Sequence, residues 1–136
     1  MKKTLFILCL FIIGVSSFAQ DLSKDDITGE WKVNQIVQSP NDIQFQALSD
    51  GFKNATFSFH EDGKFNITTS FNTPMFKIFT EKSNNANWIF EENNQHIKIG
   101  NKQNQYSIMG IIVKNKNNKI LFHLDETELI MEMSKQ

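Results

Sequence analysis

Three histidines, His60, His96 and His123, are the side chains best suited to proton transfer or metal binding in this 136-residue chain. Their spacing favours neither, because metal ligands recur at short fixed intervals on one element. His60 sits beside Glu61 and Asp62 in a turn-forming run, while His96 and His123 fall on the polar sides of two separate alternating segments. The single cysteine, Cys9, lies in an apolar N-terminal stretch, and no Gly-x-Ser-x-Gly places a serine for nucleophilic attack. The carboxylate pairs Glu91-Glu92 and Asp125-Glu126 coincide with turns, where solvated charge is sufficient explanation. Tyr106 and Gln35 are the polar residues that strand alternation could turn inward. The reading is of a protein with no catalytic residue, no metal site and no cofactor, and hence not an enzyme.

Charge and the N-terminus narrow the class further. There is no arginine, which argues against nucleic-acid or phosphate partners, for which the guanidinium fork is the favoured tool. Lys2 and Lys3 precede an apolar run from Thr4 to Val15, and Ser17 and Ala19 supply small residues of a cleavage site. The run is too short for the roughly twenty residues of a spanning helix. Residues 1–19 are therefore expected to be a signal peptide cut after Ala19, leaving a mature domain over 20–136. Ile7 and Leu8 before Cys9 do not suit lipid attachment, so an exported, periplasmic or secreted protein without a stable membrane anchor is expected. The mature part keeps no cysteine and carries twelve lysines against fifteen carboxylates, a formal charge of −3. Its stability must come from one core without disulfides.

The elements that would position any site are mostly strands. Gly29–Gln38 reads as a first strand with Trp31 and Val33 on one face. Ser39 with Pro40 then predicts a helix start, and Phe45, Leu48 and Phe52 at helical spacing predict a short helix or ordered loop over Asn41–Asp50. Period-two alternation either side of Asp62-Gly63 predicts a hairpin, with Ala55, Phe57 and Phe59 facing Phe65, Ile67, Thr69 and Phe71. Met75–Thr80 reads as a short edge strand. A second hairpin joins Asn87–Glu92 to His96–Gly100, followed by strands over Tyr106–Lys114, Lys119–Leu124 and Glu128–Met133. Tight polar turns at even spacing and at most one helix predict an all-β, up-and-down antiparallel barrel of about eight strands.

Gly29-Glu30-Trp31, the run Phe57-Ser58-Phe59-His60-Glu61-Asp62-Gly63-Lys64-Phe65 and Asn87-Trp88-Ile89-Phe90 together resemble the short bacterial lipocalin-like domains, exported barrels many of them from Bacteroidetes. The resemblance spans Ile27–Met133. It implies that Gly29 and Trp31 are structural, with the indole plugging the closed end. In that family an arginine from a late strand often covers the indole; here Lys135 is the candidate for that place. It also implies a small hydrophobic or amphipathic ligand, with Val33, Phe45, Phe57, Phe59, Phe65, Ile67, Phe71, Phe90, Tyr106, Phe122 and Met131 lining the barrel and its mouth. The phenylalanines carry a second reading, since an eight-stranded barrel either fills itself with side chains or holds one small ligand. In that case the barrel is packed and serves as a protein- or glycan-interaction module, with an exposed apolar patch around Phe76 and Phe79.

Overall fold

The computed structural model describes residues 21–71 and 73–136; the expected signal peptide lies outside the described residues. Eight strands form one antiparallel sheet: β1 (Gly29–Gln38), β2 (Ala55–Phe59), β3 (Phe65–Thr69), β4 (Asn87–Glu91), β5 (His96–Gly100), β6 (Met109–Lys116), β7 (Lys119–Leu124) and β8 (Ile130–Lys135). The order β3-β2-β1-β8-β7-β6-β5-β4 is that of a meander whose first strand returns to pair with its last. The sheet nearly closes where β3 meets β4. A Lys64–Asn87 bridge and the bonds Phe65 N–H to Ala86 O (2.8 Å), Asn85 N–H to Phe65 O (2.9 Å) and Trp88 N–H to Gly63 O (2.9 Å) stitch that seam.

Past the seam β3 has no strand neighbour, and a helix takes the place. Met75–Thr80 is not an edge strand; it belongs to α3 (Pro74–Ser83), which packs against β3. Thr73 caps α3 by accepting the Phe76 N–H, and Pro74 occupies the first turn, where its missing N–H costs nothing. The helical period buries Phe76 and half-buries Phe79 while leaving Met75 and Ile78 outside. Asn84, which caps its C-terminus, accepts the Ile67 N–H at 2.8 Å and so satisfies an edge amide of β3.

Two further α-helices lie earlier in the chain. The helix after β1, α2, spans Ile43–Phe52, later than Asn41–Asp50; Asp42, not Ser39, is its cap, its carboxylate accepting the Gln44 N–H at 2.9 Å. Gly51 lies inside it, where α3 packs so close that a Cβ would overlap the Phe76 ring. The polar segment before β1 holds α1 (Lys24–Ile27), started by a Ser23–Asp26 capping box. Two strands are displaced along the chain. Residues 101–106 form a loop held by reciprocal Asn101–Asn104 side-chain bonds, so β6 starts at Met109 and not at Tyr106. Thr127, whose hydroxyl donates to Leu124 O and accepts from the Leu129 N–H, tightens the 125–129 turn and delays β8 to Ile130.

The axis of the barrel is filled with rings. Trp31 touches Phe122 (5.5 Å between centroids), Phe122 meets Phe57 edge-on (5.8 Å, 87°), and Phe57 continues through Phe52 (5.9 Å) to Phe76 (5.0 Å). Phe59, Phe65 and Trp88 join from the other side, Phe59 lying 5.3 Å from Phe65 and 5.2 Å from Trp88. α1 and Lys135 close one end. Trp31 Nε1 donates to Ile27 O (2.8 Å), Lys135 Nζ donates to Asp26 O (2.9 Å), and the same ammonium stands 5.9 Å from the Trp31 ring, the place expected for it. Gly29 makes room: its φ is +128°, and a Cβ would come within 3.1 Å of the Lys135 stem.

Truncating the ring that touches both tryptophan plug and hairpin, Phe122→Ala, should cost about 3–5 kcal/mol, read as a fall in the urea midpoint. A second expectation concerns acid. Hydrogen bonds from the Ser23 backbone N–H and hydroxyl, helped by the Lys135 charge, hold Asp26 below the usual carboxylate range; the Lys98 ammonium and Asn94 do the same for Glu91. A carboxylate with a depressed folded pKa stabilises the fold above its unfolded pKa and loses that contribution as pH falls through the folded one. Thermal midpoints should therefore hold steady near neutrality and decline below about pH 4, and Asp26→Asn should flatten the decline while lowering the midpoint at pH 7.

Candidate functional site

The residues expected to line a ligand divide into three groups. Val33, Phe57, Phe59, Phe65, Ile67, Phe122 and Met131 are all buried and packed on one another, with Phe90 half-buried against them. Phe71 does not face inward: it lies beyond the end of β3 and is 52% exposed. Only Tyr106 and Phe45 border open space, and they border two different clefts.

The first cleft, about 370 Å³, opens where the 101–108 loop, the β7–β8 turn and α3 converge. Its apolar wall is Phe79, Ile108, Met109 and Leu124; its polar wall includes His96, Lys98, Tyr106 and Asp125. Register explains the mixture. Ile97, Ile99, Met109, Ile111 and Leu124 are buried, so alternation sends His96, Lys98, Gly110 and Asp125 to the outer face of β5, β6 and the end of β7. Apolar residues at the strand ends and polar residues from the outer face then meet at the rim.

Gly110 decides the geometry of the polar wall. It stands between His96 and Asp125, and a Cβ there would lie 2.8 Å from His96 Nε2 and 3.1 Å from Asp125 Oδ2. The missing side chain lets the imidazole reach over β6, so that Nε2 sits 3.2 Å from the Asp125 carboxylate. That nitrogen is buried and off the line of a hydrogen bond, leaving it a charged neighbour but no hydrogen-bond partner among the described residues. Beside it, Lys98 Nζ pairs with Glu91 at 2.9 Å. His123 braces the turn through a 2.7 Å contact between Nε2 and Thr127 O. His60 contacts Asn66 on the far hairpin, so the three histidines do not converge. Among the described residues no group of His, Cys, Asp and Glu is arranged to hold a metal ion.

The second cleft, about 290 Å³, lies on the other side of the β7–β8 turn between that turn and the start of α2. Pro40, Phe45, Asp42, Glu126 and Glu128 line it, and Glu126 and Thr127 belong to both clefts. The sequence names His96, Phe79 and Asp125-Glu126 one by one but does not bring them together, and Leu124 is ordinary on its own strand. The one legible hint is Gly110, a glycine inside an otherwise alternating strand, which marks a close approach.

Gly110→Ala should cost about 1–3 kcal/mol in urea unfolding, since the new methyl must push His96 or Asp125 aside. Adding His96→Ala should recover much of the loss; an undiminished loss in the double variant would show that the methyl strains something other than this pair.

No curated protein and no solved structure was found to match the chain. A family model does, that of a lipocalin-like domain, over residues 27–122. The matched span starts just before Gly29 and Trp31 and runs through Phe122, taking in both ends of the ring contacts. Members of this family are in general binding proteins without enzymatic activity. With most of its length matched and eight antiparallel strands in a nearly closed barrel, the chain belongs to the lipocalin-like domain family.

Proposed function

We propose that this protein is an exported carrier of a small amphipathic molecule, held in the rim cleft and not along the barrel axis. The observation that carries the reading is the division of space. Rings in mutual contact occupy the axis from Trp31 to Phe76, while about 370 Å³ stands open beside them with one apolar and one polar wall. That volume falls within the usual range for small-molecule sites, which pair an apolar surface with a few placed polar groups. Phe79, Ile108, Met109 and Leu124 would take the apolar part of the ligand, and Tyr106 with the His96–Asp125 wall its polar part. The buried phenylalanines are then scaffold. Export rests on the leader over residues 1–19.

A packed barrel that binds another protein or a glycan is the second reading, favoured by two exposed apolar residues one helical turn apart, Met75 and Ile78. The patch is not at Phe76 and Phe79, which turn toward Phe52.

The test combines origin and occupancy. Native mass spectrometry of protein isolated from the cell envelope of its source should give a chain beginning at Gln20 with a small molecule bound. In vitro, the neutral fluorophore N-phenyl-1-naphthylamine should bind, and Phe79→Ala should weaken it about tenfold, the loss of one good apolar contact. Weakening by Phe57→Leu with no effect of Phe79→Ala would instead place the ligand inside the barrel.

A further inference from the structure

The two clefts share a wall. Glu126 and Thr127, at the tip of the β7–β8 turn, line both, so a molecule passing over that tip touches the two spaces at once. The charge along this path is uneven. Asp42, Asp125, Glu126 and Glu128 contribute four carboxylates, against a single lysine, Lys98, which is already paired with Glu91. No lysine or histidine lines the second cleft. Asp42 is engaged as the cap of α2, and Asp125 faces His96 and accepts the Glu126 N–H. The carboxylates of Glu126 and Glu128 have no hydrogen-bond or ion-pair partner among the described residues, and Phe45, which lines the same cleft, is 44% exposed. An exposed ring that shares a cleft with unpaired carboxylates offers an ammonium group two attractions, through charge and through the ring face. The first cleft offers the opposite chemistry in Phe79, Ile108, Met109 and Leu124.

Resting on the proposal of a rim ligand, we infer that the two clefts act as one site for an elongated amphipathic cation, its ammonium beside Phe45, Glu126 and Glu128 and its apolar chain laid over the 125–128 turn onto Phe79 and Met109. The first cleft, about 370 Å³, lies within the range of small-molecule sites and offers a linear chain an apolar wall. A carboxylate or sulfate head would meet the same unpaired charges as repulsion.

Three probes with one tail separate the possibilities: decylammonium, decanol and decanoate, titrated below their micellar concentrations by calorimetry. Decylammonium should bind at least tenfold more tightly than decanol, and decanoate more weakly than either. The cation preference should shrink with added salt, as expected of exposed charges. The Glu126→Gln, Glu128→Gln double variant should remove most of the preference, bringing decylammonium toward the affinity of decanol, and Phe45→Ala should weaken decylammonium more than decanol. Decanol and decylammonium binding equally, both lost in Phe79→Ala, would overturn the inference and leave the rim carrier standing. Tighter binding of decanoate would overturn it too. If none of the three binds, both readings fall.

Discussion

Phe122 is the contact on which the rest of this barrel depends. It stands on β7, in the strand order one step beyond β8 and two from β1, yet its ring touches Trp31 of β1 and Phe57 and Phe59 of β2. Those contacts span the axis. A cylinder of eight strands leaves room for only a few large side chains, and once Trp31, Phe57, Phe59 and Phe122 meet there the opposite walls are fixed at one distance. Edge-on and tilted rings add directionality to the burial of apolar area. Without disulfides this is the principal source of cohesion, and Phe57, Phe59 and Phe65 of the β2–β3 hairpin all take part in it. The hairpin has a free edge past the seam and gains most from being held across the interior.

The closed end follows from the same constraint. An indole at the end of a filled axis must place its N–H somewhere, and Ile27 O takes it at 2.8 Å only because α1 turns back over the barrel. α1 is in turn tied to the β4–β5 turn by the Leu22 N–H to Gln95 Oε1 and the Gln95 Nε2 to Leu22 O bonds. The start of β1 is thereby joined to strands on the far side of the sheet order. Lys135 completes the arrangement from β8, donating to Asp26 O above the ring. A lysine in the place of an arginine supplies one point of contact where a guanidinium would supply a fork.

Strand boundaries set by alternation are legible in the residues themselves: β1, β2, β5 and β7 have the extents that period-two patterning and their flanking turns imply. Where the expectation failed, local bonding outweighed periodicity. Met75-Phe76-Lys77-Ile78-Phe79 suits a strand or a helix equally by apolar content. The decision lay in Thr73-Pro74, a cap followed by a first-turn proline, and in the gap at the β3 edge that only a helix could cover. Tyr106 fits an alternating strand, but the Asn101–Asn104 bonds wind the preceding loop tightly enough to hold Tyr106 at φ +56°. The candidate site was legible only in fragments. Phe45 and Tyr106 were recognised as residues near a mouth. Their partners come from β5, β6, the β7–β8 turn and α3, brought together by register, which no single stretch of chain displays.

The filled axis also bears on where binding can evolve in a barrel of this size. Emptying the interior enough for a ligand would mean trading away rings in the Trp31–Phe122–Phe57 contact, each worth a few kcal/mol in a fold without other staples. The rim carries no such cost. Its polar lining is drawn from outward-facing positions and turn residues, His96, Lys98, Asp125 and Glu126, none of which joins the ring contacts, whereas Phe79 belongs to both through Phe52 and Phe76. Gly110 shows how such a surface is shaped: one absent side chain on the outer face lets His96 and Asp125 meet and form a wall. In the proposed carrier, the polar wall and the ring contacts that hold the barrel therefore occupy opposite faces of the same strands. Substitutions at Phe45, His96 or the 125–128 turn can retune the proposed site without passing through an unfolded barrel.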